Sequence, residues 1–380
     1  MQSAIFNFSN GKWNPHTQHN NCKNSTAQLA ICFAAKKILS EQGIYQLVKQ
    51  QFPAAQIVMC STAGEIFHDA VKDDSLVAVA MQFDKTTIQS AIVNINDCKN
   101  SFDAGFELVK KLPLDNLAYI LVLSDGGMVN GSELVKGLNV AVDNKVLITG
   151  GLAGDGSSFV STLVGLNQQP AQGNIAAIGF YGKHLLVTHG SQGGWEMFGP
   201  ERDVTRSTGN KLYEMDSKNA LDLYKRYLGK EAENLPGSAL LFPLSVIIPG
   251  SIQPVVRTIL SIDEKENSMT FAGDIPQGSK VRLMKSNFDK ITTAASSAAQ
   301  QSIMQENCPP DVALLISCVG RKLILGSRIN EEVEAVNELL GGKTLLAGFY
   351  SYGEISPFNE GGSCQLHNQT MTITSFYESK

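Results

Sequence analysis

A short motif at the end of an apolar run occurs in both halves of this chain and constrains its fold. The first copy reads Cys60-Ser-Thr-Ala-Gly-Glu-Ile66 and the second Phe349-Tyr-Ser-Tyr-Gly-Glu-Ile355. A third, weaker copy is Gly150-Gly-Leu-Ala-Gly-Asp-Gly156. Each copy predicts a strand that ends in a turn made by glycine and an acidic residue. The chain therefore looks like a duplicated design.

The similarity extends beyond the turn. Residues 117–124, a helical stretch and residues 146–156 parallel residues 312–317, another helical stretch and residues 344–354. Both segments read strand, helix, strand, glycine turn, at a spacing much longer than that of stacked repeats. We expect an α/β fold of mixed α+β sheets flanked by helices, in two related halves that form two domains. The first is predicted at 1–215, with an irregular segment at 1–24, and the second at 216–380. Small molecules often bind where such halves meet.

Local patterns predict the individual elements. The spacing of Ser25 and Gln28 is that of a capping box and predicts a helix as far as about Gln50. Leu76 to Phe83 and Ile88 to Ile95 predict an antiparallel pair of strands. Further predictions are a helix near 131–142, strands at 159–165, 174–181 and 184–189, a helix through Leu221, Tyr224 and Leu228 that ends at Gly229, a helix capped by Asn330 that ends at Gly341, and a last strand from Gln365 to Phe376.

Composition excludes several classes of partner. Charged residues make up 18% of the chain and the net charge is -5, without a basic cluster, so nucleic acid is not an expected partner. The apolar runs are shorter than the roughly 18 residues of a membrane span, and the N-terminus lacks a secretory pattern. Seven cysteines without a CxxC motif are typical of a reducing cytoplasm. Since no output segment is evident, we expect the chain to report to another protein.

The second glycine turn is a candidate rim for a small ligand. Tyr350 and Tyr352 place two aromatic hydroxyls beside the carboxylate of Glu354. The alternative is a tight turn whose glutamate bonds its own backbone.

Two histidines lie on predicted strands and face inward. His367 shares a strand face with Gln369, Met371 and Ile373, and His189 shares one with Leu185 and Val187. A neutral imidazole with apolar neighbours is a possible haem-iron ligand. The alternative is a core histidine that bonds the backbone.

Other constellations predict less. His16, His19 and Cys22 have the spacing of a zinc or copper site but lack a fourth ligand, and Cys308 is a candidate thiolate for haem. His189-Gly-Ser-Gln-Gly193 misses the nucleophile-elbow pattern at its first position, so a hydrolase that uses Ser191 is a weak interpretation.

Several separated motifs together resemble those of the FIST sensory proteins, with their FIST N and FIST C parts. They are Cys60 to Ile66, Gly151 to Asp155, Gly193 to Trp195 with Phe198 to Pro200, Phe271 to Pro276, Gly348 to Ile355 and Leu366 to Met371. The resemblance runs from about Ser25 to Phe376. In lacking an output domain the chain is similar to the nitric-oxide-sensing NosP branch, whose members bind haem and regulate a partner histidine kinase or cyclic-di-GMP enzyme.

The resemblance implies a cytoplasmic haem b protein, not an enzyme. Its iron is expected on His367, or alternatively on His189, with Tyr350, Tyr352, Glu354 and Met371 around the cofactor. Nitric oxide would bind the iron, and a histidine kinase, diguanylate cyclase or phosphodiesterase would receive the signal. A homodimer is left open. The alternative is a FIST sensor of a small ligand such as an amino acid, without haem.

Overall fold

The computed structural model describes residues 1–16, 22–251, 253–303, 309–359 and 361–379. The α-helices are α1 (Lys36–Leu39), α2 (Ile44–Gln51), α3 (Ser101–Lys110), α4 (Gly131–Ala141), α5 (Ala220–Leu228), α6 (Phe288–Gln301), α7 (Val319–Leu325) and α8 (Asn330–Leu339). Short 3-10 helices cover Ile95–Asp97, Gly229–Asn234, Gly237–Leu241 and Gly326–Arg328.

The strands form four sheets. In chain order they are β1 (Gln2–Ser9), β2 (Lys12–Pro15), β3 (Leu29–Ala35), β4 (Gln56–Thr62), β5 (Glu65–Phe67), β6 (Ala70–Lys72), β7 (Leu76–Gln82), β8 (Thr87–Asn94), β9 (Leu117–Ser124), β10 (Leu147–Leu152), β11 (Val164–Leu166), β12 (Asn174–Tyr181), β13 (Leu185–Gln192), β14 (Glu196–Thr208), β15 (Lys211–Met215), β16 (Lys218–Asn219), β17 (Leu244–Ile247), β18 (Val255–Arg257), β19 (Ile259–Asp263), β20 (Ser268–Phe271), β21 (Lys280–Lys285), β22 (Val312–Cys318), β23 (Leu345–Ser351), β24 (Gly353–Pro357), β25 (Cys364–His367) and β26 (Met371–Glu378).

Three of the sheets share one plan. Their strand orders are β11-β4-β3-β7-β1-β2, β25-β24-β10-β9-β12-β8 and β13-β26-β22-β23-β5-β6. In each, a central pair joined through a helical segment runs parallel (β3 with β4, β9 with β10, β22 with β23), and a later strand (β7, β12, β26) runs antiparallel to the first member. The weak third copy of the motif is thus a complete structural unit, and the predicted mixed α/β class is confirmed.

The three units exchange strands after their glycine turns. β5 leaves the first unit and pairs with β23, β11 leaves the second and pairs with β4, and β24 leaves the third and pairs with β10. These three exchanges link each unit to the other two and so close a ring, in which the amino group of Met1 lies 3.2 Å from the carboxylate of Glu378.

The inner faces of these sheets enclose a shared apolar core. Phe33 stacks on Phe349 at 5.0 Å between ring centroids, and Tyr119 and Phe180 both pack against Phe376. The α-helices pack on the outer faces, as Val48 of α2 does in a second apolar cluster. Each fully buried aromatic ring contributes on the order of 2 kcal/mol from its burial.

The fourth sheet is a separate body, residues 196–285, which we call the cap. Its strand order is β18-β17-β21-β14-β15-β20-β19, with β16 beside β15, and α5 fills its apolar cluster with Leu221, Tyr224 and Leu228, as the helical spacing predicts. The chain enters the cap after β13 and leaves it before α6. The predicted boundary at 215/216 falls between β15 and β16, inside the cap, and stays a prediction.

The predicted helix from Ser25 to Gln50 is wrong in its first part. Residues 29–35 are the central strand β3, with every residue except Ala35 buried, and the helices begin only at Lys36. A run of apolar residues without helical periodicity suits a strand covered on both faces. Alanine propensity is too weak to override that pairing.

Two strand predictions are also corrected. β7 and β8 exist but join different sheets, because the exchange of strands separates neighbours in sequence. Residues 159–163 form no strand; only Val164 to Leu166 pair, as β11.

The predicted last strand is divided in two. β25 ends at His367, Gln369 has a φ of 63° in the intervening turn, and β26 begins at Met371. His367 and Met371 therefore do not share one strand face. Asn330 is the first residue of α8 rather than its cap, and its side chain accepts a hydrogen bond from the backbone N–H of Val71.

Candidate functional site

The glycine-turn glutamates are buried and hold their own turns. The Oε2 atom of Glu354 accepts from the backbone N–H and hydroxyl of Thr370 at 3.1 and 2.8 Å, and Oε1 accepts from Ser351 at 2.6 Å. Glu65 repeats this arrangement with Ser75 and Thr62. Burial raises the pKa of each carboxyl to about 7 despite these bonds. Glu354 therefore ties its turn, through Ser351, to Thr370 in the turn before β26, rather than bonding its own backbone.

Tyr350 belongs to a buried polar network. Its hydroxyl donates to Oε1 of Glu332 at 2.5 Å, and burial, together with that carboxylate, raises the tyrosine pKa far above its usual value. Arg321 pairs with Oε2 of Glu332 at 2.8 Å and donates to the carbonyl of Gly193 at 2.6 Å. Since Gly193 lies where the chain leaves for the cap, this network fixes the entrance of the cap.

Tyr352 lies at the surface of a cleft. Its hydroxyl donates to Asp155, the acid of the second glycine turn, and accepts from the backbone N–H of Phe159 at 3.2 Å. Burial raises the pKa of Tyr352, and Asp155 raises it further. Burial alone would raise the pKa of Asp155, but bonds from Tyr352 and the N–H groups of Ser161 and Val160 outweigh it and lower that pKa.

A stacked aromatic pair forms part of the wall of this cleft. The rings of Phe159 and Tyr352 lie 4.5 Å apart with an angle of 18° between their planes. Phe159 has a φ of 53°, a region that bulky residues rarely adopt, and 38% of its surface remains exposed. A strained aromatic residue held at a cavity mouth is typical of a functional segment.

The cleft lies between the cap and the three-sheet body and contains two cavities. The first is about 430 Å³ and the second about 690 Å³, and Phe159 and Leu260 line both. The first is lined by Gly126, Gly127, Met128, Val129, Asn130, Phe159, Ser161, Thr162, Asn210, Leu260, Ser261, Thr270, Phe271, Ala272, Gly273 and Tyr352. The second is lined by Ser157, Ser158, Phe159, Glu231, Asn234, Pro236, Gly237, Ser238, Leu240, Leu241, Ile259, Leu260 and Leu323. Both volumes suit a small molecule.

The family follows from comparison with known proteins. The FIST N domain model matches residues 28–218 and the FIST C domain model matches residues 220–357. The chain belongs to the FIST family. The predicted two-domain sensory organisation is thereby confirmed, and the family assignment indicates a sensory domain. The cleft of this FIST protein has walls from both domains, since Tyr352, Phe271 and Leu260 lie in FIST C and Phe159 in FIST N.

More distant similarities name no function. The uncharacterized protein MJ1623 of Methanocaldococcus jannaschii is 22% identical over 372 residues, which cover 87% of this chain and 71% of that protein. A cyanuric acid hydrolase structure from A. caulinodans matches with a TM-score of 0.34 and 7% identity, over 94% of this chain and 92% of its own. A second cyanuric acid hydrolase structure has the same TM-score with 9% identity, over 100% of this chain and 99% of its own. A TM-score of this size does not establish a common fold.

The two histidines predicted as haem ligands do not lie in the FIST cleft. Nε2 of His367 is 3.0 Å from the carbonyl oxygen of Ser356, and because a carbonyl only accepts, that nitrogen carries a proton. Burial lowers the pKa of His367 to about 4, and Phe358 covers the ring at 5.6 Å between centroids. His189 lines a different cavity of about 430 Å³, whose walls are more polar than apolar.

These histidines do not fit haem as they stand. An iron ligand needs a ring nitrogen that faces an open slot with apolar walls. His367 is buried with Phe358 packed on its ring, and His189 faces a polar cavity beside Lys145 and Gln301. Met371 is buried between β22 and β13. Haem-based nitric oxide sensing by this chain stays a prediction.

The remaining candidate ligands do not form a site. Within the described part of the chain, no group of three His, Cys, Asp or Glu residues could hold a metal ion. His16 packs on His68, while His19 and Cys308 lie outside the described residues. Ser191 lies within strand β13, where its Oγ is 3.1 Å from the hydroxyl of Thr372, and not at a strand-to-helix turn. None of the described helices has the length and apolar composition needed to span a membrane.

Sequence reasoning missed most of the cleft wall. Asp125-Gly-Gly127 follows β9 directly, and both glycines line the first cavity. A side chain at Gly126 would place its Cβ 2.0 Å from the carbonyl oxygen of Ala153, so the close approach requires glycine. An acid-glycine pair at the end of a predicted strand was the available signal. Phe159 and Leu260 gave no such signal, because they are brought together by the fold.

Proposed function

We propose that this FIST protein is a sensor that binds a small ligand without haem, in the cleft between the cap and the three-sheet body. The observation that carries the proposal is the stacked pair of Phe159 and Tyr352, which lines a cavity of about 430 Å³ and whose Phe159 also lines a second cavity of about 690 Å³. Concave sites with aromatic walls and a few polar groups are the usual places for small ligands. An amino acid, the alternative raised by the family resemblance, has a suitable size, but its carboxylate would find no cationic side chain among the described lining residues.

The lining favours a ligand without strong charge. No cationic side chain lines either cavity in the described residues, and Glu231 is the charged residue at the second. The ammonium group of Lys36, which donates to Ser161 Oγ at 2.5 Å, lies 3.5 Å from Asp155, and this carboxylate balances its charge. A phosphate-bearing ligand would lack a counter-charge in this cleft.

The cap offers a route from ligand to partner. It joins the body through two chain crossings, where Arg321 holds the carbonyl of Gly193 and Ser286 Oγ donates to the carbonyl of Gly194 at 2.5 Å. A ligand that contacts both walls of the cleft favours one position of the cap over others. The outer surface of the cap would then present this change to a separate histidine kinase or cyclic-di-GMP enzyme. The mechanism requires no catalytic step.

A ligand screen with a blocked variant tests the proposal. Ser261 is exposed on β19 and lines the first cavity, so Ser261→Trp fills the cavity without disturbing the core. Thr208→Trp, exposed on β14 outside both cavities, is the matched control. We expect small uncharged molecules and amino acids that raise the melting temperature of the native chain and of Thr208→Trp to lose that effect in Ser261→Trp. Equal stabilisation of all three proteins would overturn the proposal.

Haem titration separates the two kinds of sensor. If haem is the cofactor, added haemin gives a sharp Soret band that moves with nitric oxide and disappears in His367→Ala or His189→Ala. We expect only a broad, non-specific spectrum that neither substitution changes. A sharp band that responds to nitric oxide would replace the haem-free proposal.

A further inference from the structure

The second cavity of the cleft is apolar and carries exposed hydrophobic side chains around it. Leu241 and Leu260 of the cap and Leu323 of α7 are exposed to 37%, 36% and 44%, and all three line this cavity. Large apolar side chains gathered around a cavity mark a binding site more often than a bare surface, because their exposure to water costs free energy.

The first cavity has a different character. Its walls include the exposed Ser261, Thr270, Asn210, whose amide nitrogen donates to the carbonyl of Phe271, and Ser161, whose hydroxyl accepts a hydrogen bond from Lys36 and keeps its own proton for another acceptor. Neutral donors and acceptors of this kind suit an uncharged polar group such as an amide, ester or hydroxyl.

The two cavities meet at a shared wall. Phe159 and Leu260 line both, one from the body and the other from the cap. The two cavities are therefore adjacent, and a molecule that filled both would lie against these two side chains. Phe159 keeps 38% of its surface exposed at this shared wall.

We propose that the ligand is an amphiphile, with an uncharged polar head in the first cavity and an apolar chain in the second. The proposal rests on the proposed function and names the chemical class of its ligand. The adjacency of the two cavities favours one molecule over a partner helix, because a helix laid on the apolar part would leave the polar part unused. The apolar tail of the ligand passes beside Phe159 and Leu260 and covers the exposed leucines of the second cavity.

A homologous series of primary amides tests this class directly. Straight-chain amides from four to twelve carbons share one neutral head and differ only in tail length. Each added methylene buried in the second cavity contributes about 0.8 kcal/mol, so we expect the Kd, from calorimetry or from displacement of the neutral probe N-phenyl-1-naphthylamine, to fall about fourfold per carbon until the cavity is full.

Matched variants locate the tail. Leu241→Asn and Leu323→Asn change exposed residues of the second cavity, and Leu186→Asn changes an exposed leucine on β13 away from the cleft. We expect the first two to flatten the dependence on chain length while the four-carbon amide binds as before, and the third to keep it. Amides that bind with an affinity independent of length overturn the amphiphile but leave the sensor standing. If the amides fail to bind, but other small molecules bind the native protein and no longer bind Ser261→Trp, only the amphiphile proposal is overturned. If nothing binds in the cleft, both proposals fail.

Discussion

The buried glutamates of the glycine turns make stability fall as pH rises. In Glu354 the pKa is 4.5 in the unfolded chain and about 7 in the folded protein, because burial disfavours the carboxylate. Below pH 4.5 the group is protonated in both states. Between pH 4.5 and 7 only the unfolded chain releases the proton, so the free energy of unfolding decreases across this window. At about 1.4 kcal/mol per pH unit the loss is about 3 kcal/mol, complete above pH 7.

Glu354→Gln removes this titration with little change in shape. The glutamine oxygen can accept from Thr370 as the carboxyl does, and its amide can donate to the Ser351 hydroxyl, which lies 2.6 Å from Oε1 in the native protein. We expect the variant to match the native protein at pH 4.5 within about 1 kcal/mol and to be more stable by about 3 kcal/mol at pH 8. Urea unfolding followed by circular dichroism at both pH values measures the difference.

Two further variants sharpen the measurement. Glu65→Gln tests the equivalent turn of the first unit, whose carboxyl pKa is also about 7, and its effect should add to that of Glu354→Gln because the turns share no partners. Glu107→Gln, at an exposed position on α3, should give a curve parallel to that of the native protein. A stability difference between Glu354→Gln and the native protein that stays constant from pH 4.5 to 8 would refute the reasoning.

Three other predictions concern the architecture. Arg321→Met should lower the free energy of unfolding by about 3 to 5 kcal/mol in urea, because Glu332 is left buried without its cation; an effect below 1 kcal/mol would contradict the buried pair. Gly348→Ala should fail to give soluble protein, since the new Cβ would lie 1.7 Å from the carbonyl oxygen of Leu315, whereas Gly361→Ala, with open space around it, should cost only about 1 kcal/mol. A circular permutant that joins Lys380 to Met1 and opens at Gly250 should fold and melt as one unit, because the described ends meet at Met1 and Glu378; an insoluble product would argue against the closed ring.

The glycine turns and their strands were predictable because their signals are local. An apolar run followed by glycine and an acid occurs three times, and each copy forms the expected strand and turn. The predicted helix end at Gly229 is also found, with the positive φ that favours glycine. The pairing of the strands was not predictable in the same way. β7 and β8 are neighbours in sequence yet belong to different sheets, because the choice of partner depends on contacts with distant strands. Leu29 to Ala35 form a strand for the same reason, because they pair with β4 and β7.

In the candidate site, too, the residues in a local motif were predictable and those brought together by distant contacts were not. Tyr352 was predicted to border a ligand, and the structure places it on the wall of the first cavity. Tyr350 and Glu354, each two residues from Tyr352, turn inward to buried partners, because β23 ends at Ser351 and β24 begins at Gly353, so the three side chains do not share one strand face. Phe159 and Leu260 meet only when the cap packs on the body, and no local pattern records that contact.

A crystal structure of the protein with a stabilising small molecule tests the central claim most directly. We predict density for the ligand in the cleft, against the rings of Phe159 and Tyr352 and the cap strands β19 and β20. Ligand density beside His189 or His367, with the cleft empty, would contradict the account.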